Sequence, residues 1–336
     1  MSRGGTRIRL CRNSGHRSAP LPEPEDGNIE TLGWWLAGLT VIADWIGSSQ
    51  TWFPYQPPVW PLDGYWRNIA LAQAKSAIAA AGTIPAAARQ PELSLRELAG
   101  KEISASPIQL LAQSAGLGMD GPILALIEDQ TGSGKTEAAL LLAHRLMAAK
   151  RAAGLFMALP TMATANAMYG RLSGAYRRLF APEARPSLVL AHGRRRDHDG
   201  FWSSILRDMA DPDDERAGQD GTGTASAECA AWIADDRRLS FLADVGVGTI
   251  DQPFLAVLAA RHAPLRLHGL SQRVLIIDEA HAYDAYMQEE MFRLIEFQAG
   301  LGGSTIILSA TLPKKTREKL AASFQKGTGG GKFGAV

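Results

Sequence analysis

The segment ALIEDQTGSGKTEAALLLAHRL, residues 125–146, constrains the fold of this chain more than any other stretch. An apolar run of the strand type passes through a glycine turn into an amphipathic helical pattern. Glycine tolerates such a tight turn and leaves no Cβ between the backbone N–H groups and an anion. The helix that begins near Lys135 points the positive end of its dipole at the same place. The segment therefore predicts a phosphate-binding loop at the carboxyl end of a buried strand.

Two side chains after the glycines specify the anion further. Lys135 would reach the β- and γ-phosphates of a nucleotide, and the Thr136 hydroxyl would ligate Mg²⁺. The pattern G-x-x-x-x-G-K-[ST] fails at one position, because Asp129 stands where its first glycine belongs. A glycine turn that binds nothing is the alternative, and the intact GKT between a strand and a helix weighs against it. The other predicted nucleotide contacts are Thr131, Gly132, Ser133 and Gly134.

A second apolar run, residues 274–277, leads directly into the acidic pair Asp278 and Glu279. At the end of a strand in a nucleotide-binding sheet, Asp278 can hold Mg²⁺ through a water molecule. Glu279 can polarise the water that attacks the γ-phosphate. A chance acidic strand end is the alternative. With the phosphate loop upstream, the pair predicts ATP and Mg²⁺ as cofactors and Lys135, Asp278 and Glu279 as the catalytic residues.

The stretch IILSATLP ends a further apolar run with Ser309 and Thr311. Their hydroxyls could hydrogen-bond back to His281 and so couple the phosphate state to a bound nucleic-acid strand. An ordinary strand-to-loop turn with capping hydroxyls is an equally good interpretation of this motif alone.

Short apolar runs alternate with helical segments from about residue 101 onward: PILALIE, GLFMALP, SLVLAHG, VLIIDE and STIILSAT. This alternation is typical of βα units that build a parallel sheet. Residues 29–100 are aromatic and then alanine-rich, and they predict helices in front of the sheet. The predicted fold class is α/β: a P-loop parallel sheet flanked by helices, with its site at the carboxyl ends of the strands.

Composition excludes several classes of protein. The net charge of +1 gives no overall field for nucleic acid or membrane, so such contacts would need local patches. The longest apolar run, residues 32–46, is interrupted by Asp44 and falls short of the ~18 residues of a membrane span, so a buried helix is expected. Cys11 and Cys229 are far apart, which argues against structural zinc and fits a reducing cytoplasm. We therefore expect a cytoplasmic protein that does not enter a membrane.

With these three motifs in order, the chain resembles the first motor lobe of superfamily 2 helicases. The resemblance implies that the parallel sheet is RecA-like. LPTMATANAMYGRL, VGVGTIDQPFL and DEAHAYDAYM resemble, more narrowly, the helicase-nuclease of type I CRISPR systems. The resemblance is close from about residue 104 to 322 and looser back to about residue 30. It implies an ATP-hydrolysing DNA helicase with an associated metal-dependent nuclease, acting in antiviral defence, and an α-helical remnant of an HD-type domain that precedes the sheet. The implied partners are single-stranded DNA, a guide-RNA surveillance complex and a second helicase lobe.

The resemblance also implies roles for individual residues. Gln109, in the upstream element SPIQ, corresponds to a glutamine that reads the edge of adenine. Two segments correspond to those that contact the backbone of single-stranded DNA, where hydroxyls and amides can bind phosphates without reading bases. Their ordinary alternative is turn and cap chemistry. The residues are Pro160, Thr161, Thr164, Gly248, Thr249, Asp251 and Gln252.

The helix containing Asp44 resembles the last helix of the family's HD nuclease domain, and Asp44 matches its terminal acidic ligand for a divalent transition metal. The histidines that supply the other ligands should precede this helix, yet His16 is the only histidine before Asp44. A single carboxylate cannot hold a two-metal site. The nuclease metal is therefore expected only if the rest of that domain is present.

We expect a fragment, because a second lobe needs on the order of 150 residues and few follow Thr311. The expected parts are a disordered leader (1–28), the helical end of an HD-like domain with a linker (29–100), helicase lobe 1 (101–322) and a flexible tail (323–336). The acidic segment 207–228 is expected to be a surface insertion. Two alternatives remain: a non-catalytic nucleotide- or DNA-binding remnant, and a superfamily 2 translocase of restriction or repair.

Overall fold

A mostly parallel sheet forms the centre of the chain in the computed structural model, which describes residues 29–57, 61–114, 121–191, 224–226, 233 and 237–329. Within these residues the sheet has seven strands. They are β1 (Leu124–Glu128), β2 (Gly154–Leu159), β3 (Leu188–Ala191), β4 (Thr224–Ser226), β5 (Val245–Thr249), β6 (Arg273–Ile277) and β7 (Thr305–Ser309). This confirms the predicted α/β fold class with a parallel sheet.

The strand order is β1-β7-β6-β2-β5-β3-β4, and only the pairing of β3 with β4 is antiparallel. β7 therefore lies between β1, which precedes the glycine loop, and β6, which precedes the acidic pair. The carboxyl ends of these three strands meet at one edge of the sheet. β4 lies within the predicted insertion 207–228, so part of that segment is an edge strand; its other residues lie outside the described ranges.

Helices cover both faces of the sheet. They are α1 (Ile29–Gly47), α2 (Leu62–Tyr65), α3 (Leu71–Ala80), α4 (Leu95–Ala99), α5 (Pro107–Ser114), α6 (Lys135–Ala148), α7 (Met162–Ser173), α8 (Asp251–Phe254), α9 (Ala263–Ser271), α10 (Ala285–Gly300) and α11 (Lys314–Gly327). A π-helical turn, Trp66–Ala70, joins α2 to α3. Successive side chains of β2 enter different cores: Leu155 and Met157 pack with α4, α6 and α7, whereas Phe156 and Ala158 pack with α8, α10 and α11.

The helix α1 is less buried than its sequence suggested. It packs on α9, and a Cβ at Gly38 would overlap the backbone of Pro264. Ile42 and Ile46 are buried, but Leu36 and Leu39 are 45% and 40% exposed. The expectation of a buried helix is therefore wrong for the face of α1 that carries Leu36 and Leu39. No helix in the described part of the chain has both the length and the apolar character to cross a membrane.

The boundary between the N-terminal helical part and the lobe was expected at residue 100, but it lies earlier in the chain. Leu93, Leu95 and Leu98 are buried in the same core as the sheet and α6. The backbone of residues 86–89 is hydrogen-bonded to the lobe, since Arg89 N–H donates to the Leu179 carbonyl at 3.0 Å and Ala86 N–H donates to Asp244 at 2.8 Å. Residues 86–98 therefore pack as part of the lobe, because their leucines cover α6.

The predicted flexible tail from residue 323 also begins too early. The last described helix, α11, continues to Gly327. Leu320 is fully buried, Phe324 packs against the core beneath α10, and Lys326 pairs with Glu296 at 2.7 Å. Two apolar anchors one helical turn apart thus keep these residues helical.

Candidate functional site

The glycine loop and the acidic pair lie at the same edge of the sheet, separated by one strand. The loop follows β1 and the pair follows β6, with the end of β7 between them. Neighbouring strands are about 4.8 Å apart, so the two motifs begin roughly 10 Å from each other. A triphosphate with a bound magnesium ion can span this distance.

The glycine loop has the conformation that an anion site needs. Gly132 and Gly134 have φ angles of +86° and +91°, in the left-handed region that favours glycine. Gly134 is the N-cap of α6, so the first free N–H groups of that helix face the loop. The φ of Gly134 favours glycine there, and a Cβ would in addition displace the side-chain amide of Gln109.

The Lys135 ammonium lies inside this loop. It donates hydrogen bonds to the carbonyls of Asp129 at 2.5 Å and Gln130 at 2.8 Å, and the residue is buried. These carbonyls are neutral acceptors, and phosphate oxygens would bind the ammonium more strongly. The lysine is therefore placed where it can turn toward an anion without leaving the loop.

One cavity of about 580 Å³ joins the glycine loop to the acidic pair. A ligand in this space could touch both motifs at once. Its lining contains every predicted nucleotide contact together with the acidic pair: Gln109, Thr131, Gly132, Ser133, Gly134, Lys135, Thr136, Asp278 and Glu279.

The polar groups of this cavity fit a nucleotide with a magnesium ion. Among the described residues, the buried hydroxyls of Ser106 and Ser133 have no hydrogen-bond partner, and both residues line the cavity. A polar ligand would satisfy them. Thr136 and Asp278 supply hydroxyl and carboxylate oxygens, the ligand type that Mg²⁺ prefers.

The acidic pair is held in an unusual conformation. Glu279 has a φ of +52°, which is uncommon for a residue with a Cβ and is found where the surrounding structure requires it. Its N–H donates to Asp278 Oδ1 at 2.9 Å. Burial raises the pKa of Asp278 above its ordinary value, and the neighbouring Glu279 charge adds to this effect. A bound cation would relieve both penalties.

His281, Ser309 and Glu279 lie in one chain of polar contacts. His281 Nδ1 is 3.2 Å from the Ser309 hydroxyl oxygen and 3.2 Å from Glu279 Oε2, and the Ala310 N–H donates to the same nitrogen at 3.4 Å. The Ser309 hydroxyl donates to the Thr311 carbonyl at 3.1 Å. Thr311 therefore takes part through its backbone carbonyl, and not through its hydroxyl as was predicted. The ends of β6 and β7 are thereby linked.

Two further residues at this edge were not found from the sequence. Glu128, the last residue of β1, accepts from the Leu312 N–H at 2.7 Å and pairs with Arg317 at 2.9 Å. The Tyr283 hydroxyl donates to the Asp278 carbonyl at 3.0 Å, and burial raises its pKa well above the ordinary value. Both lie in stretches quoted above, Glu128 directly before the glycine loop and Tyr283 within DEAHAYDAYM, but neither was assigned a role from the sequence.

Gln109 lines the cavity, and its side-chain amide already makes two hydrogen bonds. Its Oε1 accepts from the Ser106 N–H at 2.9 Å, and its Nε2 donates to the Gly134 carbonyl at 3.3 Å. A primary amide has a second N–H and a second lone pair. One donor and one acceptor therefore remain for the edge of a base.

The two segments predicted to contact DNA differ in exposure. Thr161 and Thr164 are exposed at the start of α7, with Pro160 half-buried before them at the carboxyl end of β2. The two threonines form a reciprocal capping box. Their hydroxyls are thus accessible while also stabilising the helix.

The second segment is largely internal. Gly248, Thr249 and Gln252 are buried and Asp251 is half-buried. A Cβ at Gly248 would overlap Ala191 and Phe156, so this glycine is required by packing. Gln252 Nε2 donates to Asp251 at 2.6 Å. Within the described residues, the Thr249 hydroxyl has no partner.

Asp44 is exposed on α1. Among the described residues, no group of three or more His, Cys, Asp or Glu side chains is arranged to hold an ion. The described residues therefore do not fit a nuclease metal centre.

Comparisons with known proteins agree with this geometry. Residues 7–53 match the family described as "Cas3, HD domain". The chain is 36% identical over 305 residues to the CRISPR-associated endonuclease/helicase Cas3 of Thermus thermophilus, covering 90% of this chain and 32% of the relative. It is 40% identical over 203 residues to the protein of that name from Escherichia coli K12, covering 60% of this chain and 22% of that one.

Solved structures give the same result. T. fusca Cas3 with ADP matches with a TM-score of 0.71 and 30% identity, over 93% of this chain and 33% of that chain. A chain of a structure described as "CRISPR RNA-guided surveillance complex, pre-nicking" matches with a TM-score of 0.53 and 28% identity, over 91% of this chain and 28% of that one. This chain thus spans about a third of these relatives, or less.

Proposed function

We propose that this chain is the ATP-dependent motor lobe of a Cas3 helicase-nuclease. Most of its length is similar to a segment that makes up about a third of the length of such proteins. In this role it binds and hydrolyses Mg-ATP and contacts single-stranded DNA. The observation that carries the proposal is the common cavity lined by the glycine loop and the acidic pair. Its partners would be a second helicase lobe and a guide-RNA surveillance complex, in the cytoplasm, as part of antiviral defence.

Four side chains of the cavity have distinct proposed parts in hydrolysis. Lys135 and the N–H groups at the start of α6 bind the β- and γ-phosphates and hold them in line for attack. Thr136 and Asp278 would hold magnesium, which neutralises charge on the phosphates. Glu279 orients a water molecule toward the γ-phosphate and accepts its proton. All of these groups face one space, so no large rearrangement is needed to assemble them.

The hydrogen bond between His281 and Ser309 couples ATP hydrolysis to DNA binding in this proposal. In the proposed complex Glu279 lies beside the γ-phosphate. Its carboxylate contacts His281, which in turn contacts Ser309 at the end of β7. A change at the γ-phosphate would shift this hydrogen-bonded chain and the strand ends beside it. DNA would bind at the exposed Thr161 and Thr164, while residues 248–252, being mostly buried, would contribute mainly backbone groups.

The proposal is tested by measuring ATP hydrolysis with and without single-stranded DNA. DNA should stimulate turnover, and both Lys135→Ala and Glu279→Gln should abolish it. Lys135→Ala should also lose nucleotide binding, whereas Glu279→Gln should retain it because Glu279 acts on water. An exposed change, Glu318→Gln, is the control. Equal hydrolysis by the parent protein and Glu279→Gln would refute the assigned roles.

A nucleotide- and DNA-binding module without turnover is the second candidate, because the chain spans about a third of its relatives. It predicts Mg-dependent nucleotide binding that requires Lys135 but no hydrolysis above the Lys135→Ala background. The nuclease activity of the relatives is not assigned to the described residues, since these do not fit a metal centre.

A further inference from the structure

The helix that carries Gln109 is short and only partly covered. α5 has eight residues, and so short a helix is marginal without tertiary contacts. Gln109 and Ala112 are buried, whereas Leu110 and Leu111 are 54% and 48% exposed. The place of Gln109 at the nucleotide cavity therefore depends on the contacts that hold the buried face of α5 against α6.

An arginine of α6 holds the carboxyl end of α5. The Ala112 carbonyl lies in the last turn of α5, where carbonyls have no partner within the helix. Arg145 Nη1 donates to this carbonyl at 2.9 Å. The guanidinium also lies at the negative end of the α5 dipole, a position that favours a cation. Arg145 thus fixes α5 to the helix that follows the glycine loop.

Arg145 is itself held in one orientation. Its Nε donates to the Glu92 carboxylate at 2.9 Å, and its side chain is 14% exposed. A planar guanidinium that donates to two acceptors on different elements has little freedom to rotate. Glu92 lies within residues 86–98, whose Leu93 N–H donates at 3.2 Å to Nδ1 of His144, the neighbour of Arg145 on α6. Arg145 therefore joins α5, α6 and residues 86–98 at one point.

The amino-terminal half of α5 is held by a longer bond. Gln109 Nε2 donates to the Gly134 carbonyl at 3.3 Å, compared with the usual ~2.9 Å for such a bond. Gln109 and Ala112 are three residues apart, so both lie on the same face of α5. Loss of the Arg145 bond would therefore leave the place of Gln109 to apolar packing and to the longer bond with Gly134.

We propose that Arg145 is a positioning residue for base recognition, which sets the place of Gln109 by holding the carboxyl end of α5 against α6. Arg145 does not line the nucleotide cavity, so it acts through Gln109 and not on the ligand. Glu92 in turn orients Arg145, which makes base recognition depend on the packing of residues 86–98. This inference rests on the proposed function, because it takes the base of a bound nucleotide to lie beside Gln109.

The test is calorimetric titration of the full chain with two probes, Mg-AMPPNP and magnesium tripolyphosphate. The readout is the ratio of their dissociation constants, which isolates the contribution of the nucleoside. Arg145→Met keeps an apolar stem and removes the donors. Its preference for AMPPNP should fall roughly fivefold, the worth of about one hydrogen bond to the base. Its affinity for tripolyphosphate should equal that of the parent, which also shows that the glycine loop is folded.

A double-mutant cycle tests whether Arg145 acts through Gln109. Gln109→Ala should lower the preference by a similar factor, and Arg145→Met/Gln109→Ala should lower it no further than either single variant. Arg145→Lys keeps a charged donor within reach of the Ala112 carbonyl and should restore part of the preference. A purely structural role of Arg145 would instead lower the affinities for both probes together.

The matched control removes an arginine from an exposed ion pair. Arg67 pairs with Asp63 at 2.9 Å and does not line the cavity, so Arg67→Met should leave the ratio unchanged. If Lys135→Ala abolishes binding but Arg145→Met keeps the full preference, or loses affinity for both probes equally, this inference is overturned and the proposed function stands. A parent chain without a preference for AMPPNP, or a double variant whose loss is the sum of the two single losses, overturns it as well. If the parent chain binds neither probe, both are overturned.

Discussion

Gly134 shows how closely backbone conformation and side-chain packing are linked at the residue scale. Its left-handed φ directs the start of α6 toward the cavity, and the space that a Cβ would occupy belongs to Gln109. The residue that ends the phosphate loop therefore also holds the proposed adenine contact.

Gly134→Ala should disrupt the loop more than Gly132→Ala. Both alanines would be strained by a positive φ, at a cost of about 1–2 kcal/mol. Only Gly134→Ala adds an overlap, with the Gln109 amide, whereas nothing lies within 4 Å of a Cβ at Gly132. Thermal unfolding and Mg-AMPPNP titration should show the larger loss of stability and affinity for Gly134→Ala. Equal losses in the two variants would show that the contact with Gln109 is unimportant.

Asp278 should make the metal-free protein less stable as the pH rises. Burial raises its pKa in the folded state, so the folded chain keeps a proton that the unfolded chain has released. Between the unfolded and the folded pKa, the free energy of unfolding therefore falls with increasing pH. In the absence of magnesium, Asp278→Asn should be more stable than the parent at neutral pH, and the difference should disappear in acid. Denaturant titrations across this range would contradict the prediction if the difference did not vary with pH.

The motifs could be located from the sequence because each combines a strand end with a specific chemistry. Lys135, Asp278 and Glu279 follow apolar runs whose carboxyl ends must share an edge in a parallel sheet. The roles of Glu128 and Tyr283 could not be found in this way. The partner of Glu128 is the Leu312 N–H, which is distant in sequence, and the bond from Tyr283 to the Asp278 carbonyl depends on the turn that follows β6.

At the scale of elements, β1 and β7 are joined at the site by a side-chain hydrogen bond in addition to the backbone hydrogen bonds between the two strands. Glu128 accepts the Leu312 N–H, so the strand that carries the glycine loop also holds the loop after β7. The same loop contains Thr311, which completes the chain from His281. The position of the loop after β7 thus depends on β1, the strand that carries the glycine loop.

Glu128→Ala should lower the free energy of unfolding by about 1–3 kcal/mol, the cost of leaving a backbone donor without its charged acceptor. Glu128→Gln should retain most of the stability, because its amide oxygen can still accept from Leu312. The lost ion pair with Arg317, which is 46% exposed, is worth little. Glu318→Ala, at an exposed position of α11, is the control. Equal destabilisation by the alanine and glutamine variants would assign the effect to the ion pair instead.

Element boundaries were harder to predict than the elements themselves. The alternation of apolar runs predicted five strands of the sheet, β1, β2, β3, β6 and β7, by their βα pattern. It did not predict β5, whose sequence VGVGT contains two glycines, or the short antiparallel β4, which lies within a polar, glycine-rich segment. The extent of α11 depends on Leu320 and Phe324 meeting α10, a contact that local propensity does not show.

At the scale of the whole molecule, residues 86–98 belong with the sheet in the part of the chain that the structure describes. Their leucines pack in the core of the lobe, whereas α1 packs on α9 and leaves much of its other face exposed. The sequence predicted a linker within residues 29–100, because a sequence does not show which element an apolar side chain near a proline will cover.

Native-state hydrogen exchange tests this division. The amides of Arg89 and Leu93, which donate to Leu179 and to His144, should exchange as slowly as those of β2 and β6. The amides of α3, which is mostly exposed, should exchange faster. Equal and rapid exchange of residues 86–98 and α3 would place both outside the lobe.

The central claim is that the glycine loop and the acidic pair bind one nucleotide and its magnesium together. The most direct measurement is the affinity of the full chain for AMPPNP with and without Mg²⁺, in the parent protein, Lys135→Ala and Asp278→Asn. Magnesium should strengthen binding to the parent, Asp278→Asn should lose most of that gain, and Lys135→Ala should lose binding in both conditions. An Asp278→Asn variant that keeps the full gain from magnesium would contradict the claim.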